Sequence, residues 1–236
     1  MRSLIVTVIL LASSTSATAS DYEETRDLTV EAGGIDTLII NVGAGSLEVE
    51  GVDGLDTIEV KATIVIEDAD DDDGRKVIEE NLVLSLERDS SQAELRSEFD
   101  NSFWRFSSNG RVDLEVRAPS TLAVSIDDGS GSMDVSNFSA DVKIDDGSGS
   151  IDVHNVGALS IDDGSGSIDV SGATGDVYVN DGSGGITVDS VGGTVTIDDG
   201  SGSIRVSDVA GDLIILDGGS GSVSFSDIRG TVEEEG

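Results

Sequence analysis

One phrase constrains this chain more than any other feature. Ile-Asp-Asp-Gly-Ser-Gly-Ser, followed by a large apolar residue, begins at Ile126 and returns in exact or looser form at Ile144, Ile161, Val179, Ile197 and Ile215. The intervals are 18, 17, 18, 18 and 18 residues. A unit this short cannot bury its own apolar side, so a fixed period of this length requires stacking of one unit upon the next.

Aligning the units shows which columns are apolar. Counting from the first aliphatic, they fall at +7, +9, +12 and +16, as in Ile161, Ile168, Val170, Ala173 and Val177. Around each +7/+9 pair the order is apolar, polar, apolar, with β-branched residues favoured, which is a strand period of two. Glycine-rich corners separate the strands. The pattern predicts an all-β, single-stranded β-solenoid (β-helix) with ~18-residue coils. The second coil loses one residue before Leu159, and the sixth gains Gly219.

Residues 36–57 carry a degenerate copy, with Ile40, Leu47, Val49 and Val52 in the start, +7, +9 and +12 columns. Residues 58–120 read as larger, irregular coils: a strand over 56–67, an acidic run at 68–73, a short helix over 74–81, and strands at 82–88, 93–98 and 111–117. Six regular repeats fill 121–236. Residues 1–19 read as a signal peptide, with Arg2, the apolar run Leu4–Ala12 and Ala17-Thr18-Ala19 as cleavage site. The expected mature chain, 20–236, is a single solenoid domain exported to the periplasm, the cell surface or beyond, with no membrane insertion. With no cysteine, neither a disulfide framework nor a lipidated cysteine can form.

The formal net charge is −35, and only Lys61, Lys76 and Lys143 are lysines. Such a field repels nucleic acid and other polyanions and concentrates cations. The glycine-rich phrase is no phosphate loop, since it lacks Gly-Lys-Ser/Thr and carries two carboxylates. It differs from the nonapeptide calcium repeat too: its aspartate comes one residue late, and a one-residue shift changes the face of a strand.

Two aspartate columns remain. Asp128, Asp146, Asp163, Asp181, Asp199 and Asp217 form one; Asp127, Asp145, Asp162, Asn180 and Asp198 run beside it. Full charges ~4.8 Å apart repel by roughly 0.9 kcal/mol in water and more in a less polar setting. The columns must splay into solvent, be screened, take up protons or bind cations; equally, aspartate before glycine suits a tight corner. Asp145, Asp146, Asp162 and Asp163 are the metal candidates, with Ca2+ the cofactor to test and no other cofactor expected.

Catalysis calls for different groups in one asymmetric place, whereas repeats present the same groups many times. No catalytic residue is assigned. His154 stands in a serine-rich outward column, Arg205 interrupts a column of aspartates, and Phe103, Trp104 and Phe106 form the aromatic cluster. Glu233, Glu234 and Glu235 would discourage strand pairing at an open last coil.

The degenerate copy, the Val116-Arg117-Ala118-Pro119 turn and the repeated Thr/Asp-Gly-Ser-Gly units from Thr121 onward together resemble the bacterial putative-adhesin domain family. That resemblance implies an exported, right-handed β-solenoid, with some relatives in cell-envelope stress systems. Asp-Asp stands here where relatives often have Thr or Ser. The resulting expectation is a non-enzymatic, adhesin-like protein that binds a surface polymer or an envelope protein. The alternatives are a stress-sensing component acting through a protein partner and a carbohydrate-active β-helix enzyme.

Overall fold

The computed structural model of the chain describes residues 21–100 and 110–235. The expected signal peptide and the aromatic cluster at 103–106 lie outside these residues. In chain order the first elements are β1 (Tyr22–Glu31), β2 (Thr37–Ala44), β3 (Leu47–Val52), β4 (Thr57–Ile66), α1 (Asp71–Asn81), β5 (Leu82–Asp89), β6 (Gln92–Phe99), β7 (Gly110–Pro119) and β8 (Ala123–Ser136). From there each coil adds one short strand to each of two sheets. Val142–Asp146 precedes Gly149–His154, Leu159–Asp163 precedes Gly166–Ser171, and Val177–Asp181 precedes Gly184–Val191. The later coils follow the same plan to Val232–Glu234.

The chain is an all-β parallel solenoid with coils of about 18 residues. Pairing is parallel and places like on like: Ile151, Ile168, Ile186 and Ile204 are successive partners in one sheet. Leu159, Val177, Val195 and Leu213 do the same in the other. These side chains are buried, as are Phe138, Val156, Ala173, Val191 and Val209 at the third corner. The core is thus a set of aliphatic columns between the two sheets, built by the inward parity of each strand.

Close stacking also fixes one glycine per corner. Gly166 has φ 157°, and a Cβ there would overlap the carbonyl oxygen of Gly149 one coil earlier. Gly149, Gly184 and Gly202 stand in the same relation to the coil before them. A side chain at these positions would push adjacent coils apart.

The N-terminal half corrects one expectation. The degenerate coil does stack on the first regular one, with Ile40 beside Ile126 and Leu47 beside Met133. On its other side β6 and β7 run parallel to β2 and β3, so β6 adds a strand to one sheet and β7 a strand to the other. Residues 57–89, however, are not coils. β4 is antiparallel to both β7 and β1, and β5 is antiparallel to β6. The physical reason lies in the connections. The two-residue turn Ser90-Ser91 reverses the chain, whereas a parallel partner requires a longer crossover. These antiparallel strands and α1 close the N-terminal end. The helix starts at Asp70, whose side chain accepts N–H bonds from Asp72 and Asp73.

Among the described residues, none covers the last coil in this way. Phe225 is 44 % exposed and Val232 38 %, although both continue the inward columns. Among the described residues no helix is long and apolar enough to cross a membrane.

Candidate binding groove and the buried aspartate ladder

Strand parity decides the fate of each aspartate. In Leu159–Asp163 the order is inward, outward, inward, outward, inward, so Asp163 enters the interior while Asp162 faces solvent. The same holds along the stack: Asp128, Asp146, Asp163, Asp181 and Asp199 are 4 %, 3 %, 2 %, 1 % and 0 % exposed. They are register partners in successive coils. Val42 occupies the same column in the degenerate coil and ends the ladder there. At the other end Asp217 is exposed.

Each carboxylate is held the same way. Oδ1 accepts the backbone N–H two residues on: Ser148 to Asp146 at 3.2 Å, Ser165 to Asp163 at 3.1 Å, Ser183 to Asp181 at 3.0 Å and Ser201 to Asp199 at 2.9 Å. Oδ2 of these four residues is buried and has no hydrogen-bond partner. Aspartate before glycine therefore does shape the corner, and it leaves one carboxylate oxygen per coil unsatisfied in the interior. Splaying into solvent, one of the expected outcomes, is not available to this column.

Burial raises the carboxyl pKa values, because removing water penalises the charged form. Asp128 is pushed up to about 7, first by burial and then by the Asp146 charge. Asp181 is pushed to about 6 by burial, with Asp163 and Asp199 adding to it. Asp146, Asp163 and Asp199 are raised for the same leading reason.

The four metal candidates are accordingly split. Asp145 and Asp162 are exposed register partners, and Asp146 and Asp163 are buried register partners on the opposite face. One ion cannot touch all four. Among the described residues, no three His, Cys, Asp or Glu side chains converge on a single point. In the outer column, Asn180 donates to Asp162 at 3.1 Å. His154 lies outside the sheet with its Nδ1 2.7 Å from Ser171 Oγ, and Arg205 is exposed.

A second feature was not singled out from the sequence. A groove of about 490 Å³ runs along the outside of the stack, from Thr37 in the degenerate coil to Thr196. It crosses six coils, which at ~4.8 Å per strand is about 24 Å. Its sheet wall is the outward column Ser125, Lys143, Ser160, Tyr178 and Thr196, and Asp141 and Asp176 stand at the corner. Tyr178 is 40 % exposed. In a chain with 48 acidic residues, this column has no carboxylate from Ser125 to Ile214. That gap in an acidic repeat was the legible signal.

No family model matches the chain, and no curated protein does. Its structure is similar to that of a putative adhesin from Bacteroides fragilis NCTC 9343, at 15 % identity and TM-score 0.44, covering 93 % of this chain and 100 % of that one. A putative lipid binding protein from Parabacteroides distasonis ATCC 8503 is similar at 14 % identity and TM-score 0.40, covering 91 % and 94 %. A putative cell adhesion protein from Clostridium sporogenes ATCC 15579 gives 11 % identity and TM-score 0.30, covering 91 % and 99 %. At these scores, none of the three bears on ligand or chemistry.

Proposed function

We propose that this chain is an exported, non-enzymatic, adhesin-like module that binds an extended neutral glycan along the axial groove. The carboxylate-free column Ser125–Lys143–Ser160–Tyr178–Thr196 carries this reading. A groove that follows the stacking axis suits a linear polymer, because it presents outward side chains at the regular strand spacing of ~4.8 Å. Tyr178 supplies an exposed aromatic face with a polar tip, and the flanking Ser160 and Thr196 hydroxyls can both donate and accept. The net charge of −35 disfavours uronic acids and other polyanions.

The test is a glycan array followed by titration calorimetry with any neutral oligosaccharide retained. Tyr178→Ala is expected to weaken binding at least tenfold, while Arg205→Ser, on the other sheet, leaves it unchanged. Retention of no glycan, or equal affinity in the Tyr178→Ala protein, overturns the reading. Turnover of the bound oligosaccharide would instead favour the β-helix enzyme alternative.

A further inference from the structure

Four features of the inner ladder bear on cation binding. The first is the set of unpartnered Oδ2 atoms on Asp146, Asp163, Asp181 and Asp199, all on residues at most 3 % exposed. A buried charge without a partner is among the costliest features a fold can hold, so something must answer it. The second is orientation. Since Oδ1 is engaged by the Ser N–H in every coil, the free oxygen points the same way in every coil.

The third is spacing. Identical carboxylates on in-register parallel strands repeat at ~4.8 Å, so a point midway between two Oδ2 atoms lies ~2.4 Å from each. Calcium–oxygen bonds are about 2.3–2.6 Å. The fourth is the Cβ-less corner. Gly166 O sits where a Gly184 side chain would begin, and Asp181 Oδ2 lies 3.3 Å from that same point. Gly184 O and Asp199 Oδ2, at 3.2 Å, bear the same relation to Gly202. At both corners, then, a backbone carbonyl oxygen of the preceding coil and a free carboxylate oxygen border the same Cβ position.

We propose that the inner aspartate ladder is a calcium-class binding site, with a hard divalent cation seated between the carboxylates of adjacent coils. One doubly charged ion neutralises two carboxylates, and ions in adjacent gaps would restore the repulsion they remove. Alternate gaps are thus filled, Asp146/Asp163 and Asp181/Asp199, giving roughly two ions over these four residues. The exposed Asp217 end is the entrance, and Val42 is the stop. The outer pair Asp145 and Asp162 takes no part. This site is on the inside of the stack and is independent of the groove.

The test uses the exported chain, dialysed at pH 8 against millimolar calcium and then assayed for metal content. About two calcium ions per chain are expected, with a melting temperature several degrees above that in sodium chloride of matched ionic strength. The variant Asp163→Asn/Asp181→Asn should lose both the bound calcium and the thermal increment, whereas Asp145→Asn/Asp162→Asn should keep both. Should the inner double variant fail to fold, Asp163→Asn alone should retain about half the calcium. Absence of bound calcium in the wild type, or unchanged calcium in either inner variant, overturns the proposal. So does loss of calcium on changing only the outer pair.

Discussion

Asp162 and Asp163 are neighbours in sequence and opposites in the fold: Asp162 is exposed to solvent, and Asp163 is 2 % exposed with one oxygen bound to the Ser165 N–H. The alternation repeats in each coil from Asp127/Asp128 to Asp198/Asp199, with the outer Asn180 and Asp198 half-buried. The protein therefore has two acidic columns with different chemistry, an outer one that water can screen and an inner one that it cannot.

The inner column predicts how stability changes with pH in calcium-free buffer. Asp128 and Asp181 have folded-state values of about 7 and about 6, above the ordinary 3.8. Between those limits the native state binds more protons than the unfolded chain, so stability falls as pH rises. The contribution is fully present below the ordinary value and is lost as pH passes through about 6 to 7. Thermal melts between pH 4.5 and 8.5, at constant ionic strength with a chelator present, should show a declining midpoint. Asp128→Asn/Asp181→Asn, which keeps the Oδ1 acceptor without the charge, should flatten that decline. An unchanged slope in the variant would falsify the assignment of the pH dependence to this column.

Inward and outward parity is tested at Val170 and Ser171. Val170 is 2 % exposed, and Ser171 lies on the outside beside His154. Val170→Asp should cost several kcal/mol, on the order of 3 or more, because it buries an unpaired carboxylate. Ser171→Asp should change stability by less than about 1 kcal/mol. Chemical denaturation of both variants is the measurement, and equal midpoints would contradict the assignment.

Two adjacent glycines should behave differently. A Cβ on Gly184 would overlap the Gly166 carbonyl oxygen, while one on Gly185 would meet nothing within 4 Å. Equivalent coils carry Ser167 and Ser203 at the second position. Gly185→Ser should be neutral or stabilising by up to about 1 kcal/mol, through the lower entropy of the unfolded chain. Gly184→Ala should fail to give soluble protein or should melt far lower. Comparable stability of the two variants would argue against close contact between the corners.

Phe138 and Phe225 separate a covered coil from an uncovered one. Phe138 is 1 % exposed and Phe225 44 %. Phe138→Ala should cost about 3–5 kcal/mol, as for a fully packed aromatic. Phe225→Ala should cost about 1 kcal/mol or less, since much of its surface already meets water. Equal losses would mean that the last coil is covered in solution.

The sequence by itself determined the coil. An interval of 17 or 18 residues, strand alternation around Ile168 and Val170, and glycine corners leave few other ways to bury those aliphatic columns, and from Ile126 to Ile215 the apolar columns that the alignment places inside are buried, whereas Phe225 and Val232 of the last coil are not. The helix before Asn81 and the strands around the Ser90-Ser91 turn were legible for the same local reasons. Only the tertiary structure decided the direction of β4, which pairs with the distant β1 and β7. Parallel and antiparallel strands share one side-chain period, and the distinction lies in which neighbour supplies the hydrogen bonds. Strand parity places Asp162 and Asp163 on opposite faces, a distinction that the grouping of both as metal candidates did not draw. That Asp163 is sealed from water, with Oδ2 unpartnered, depends on the Gly-Ser-Gly corner folding over it and on the coils above and below. The groove likewise exists only because Ser125, Lys143, Ser160, Tyr178 and Thr196, up to 71 residues apart in sequence, become neighbours when the coils stack.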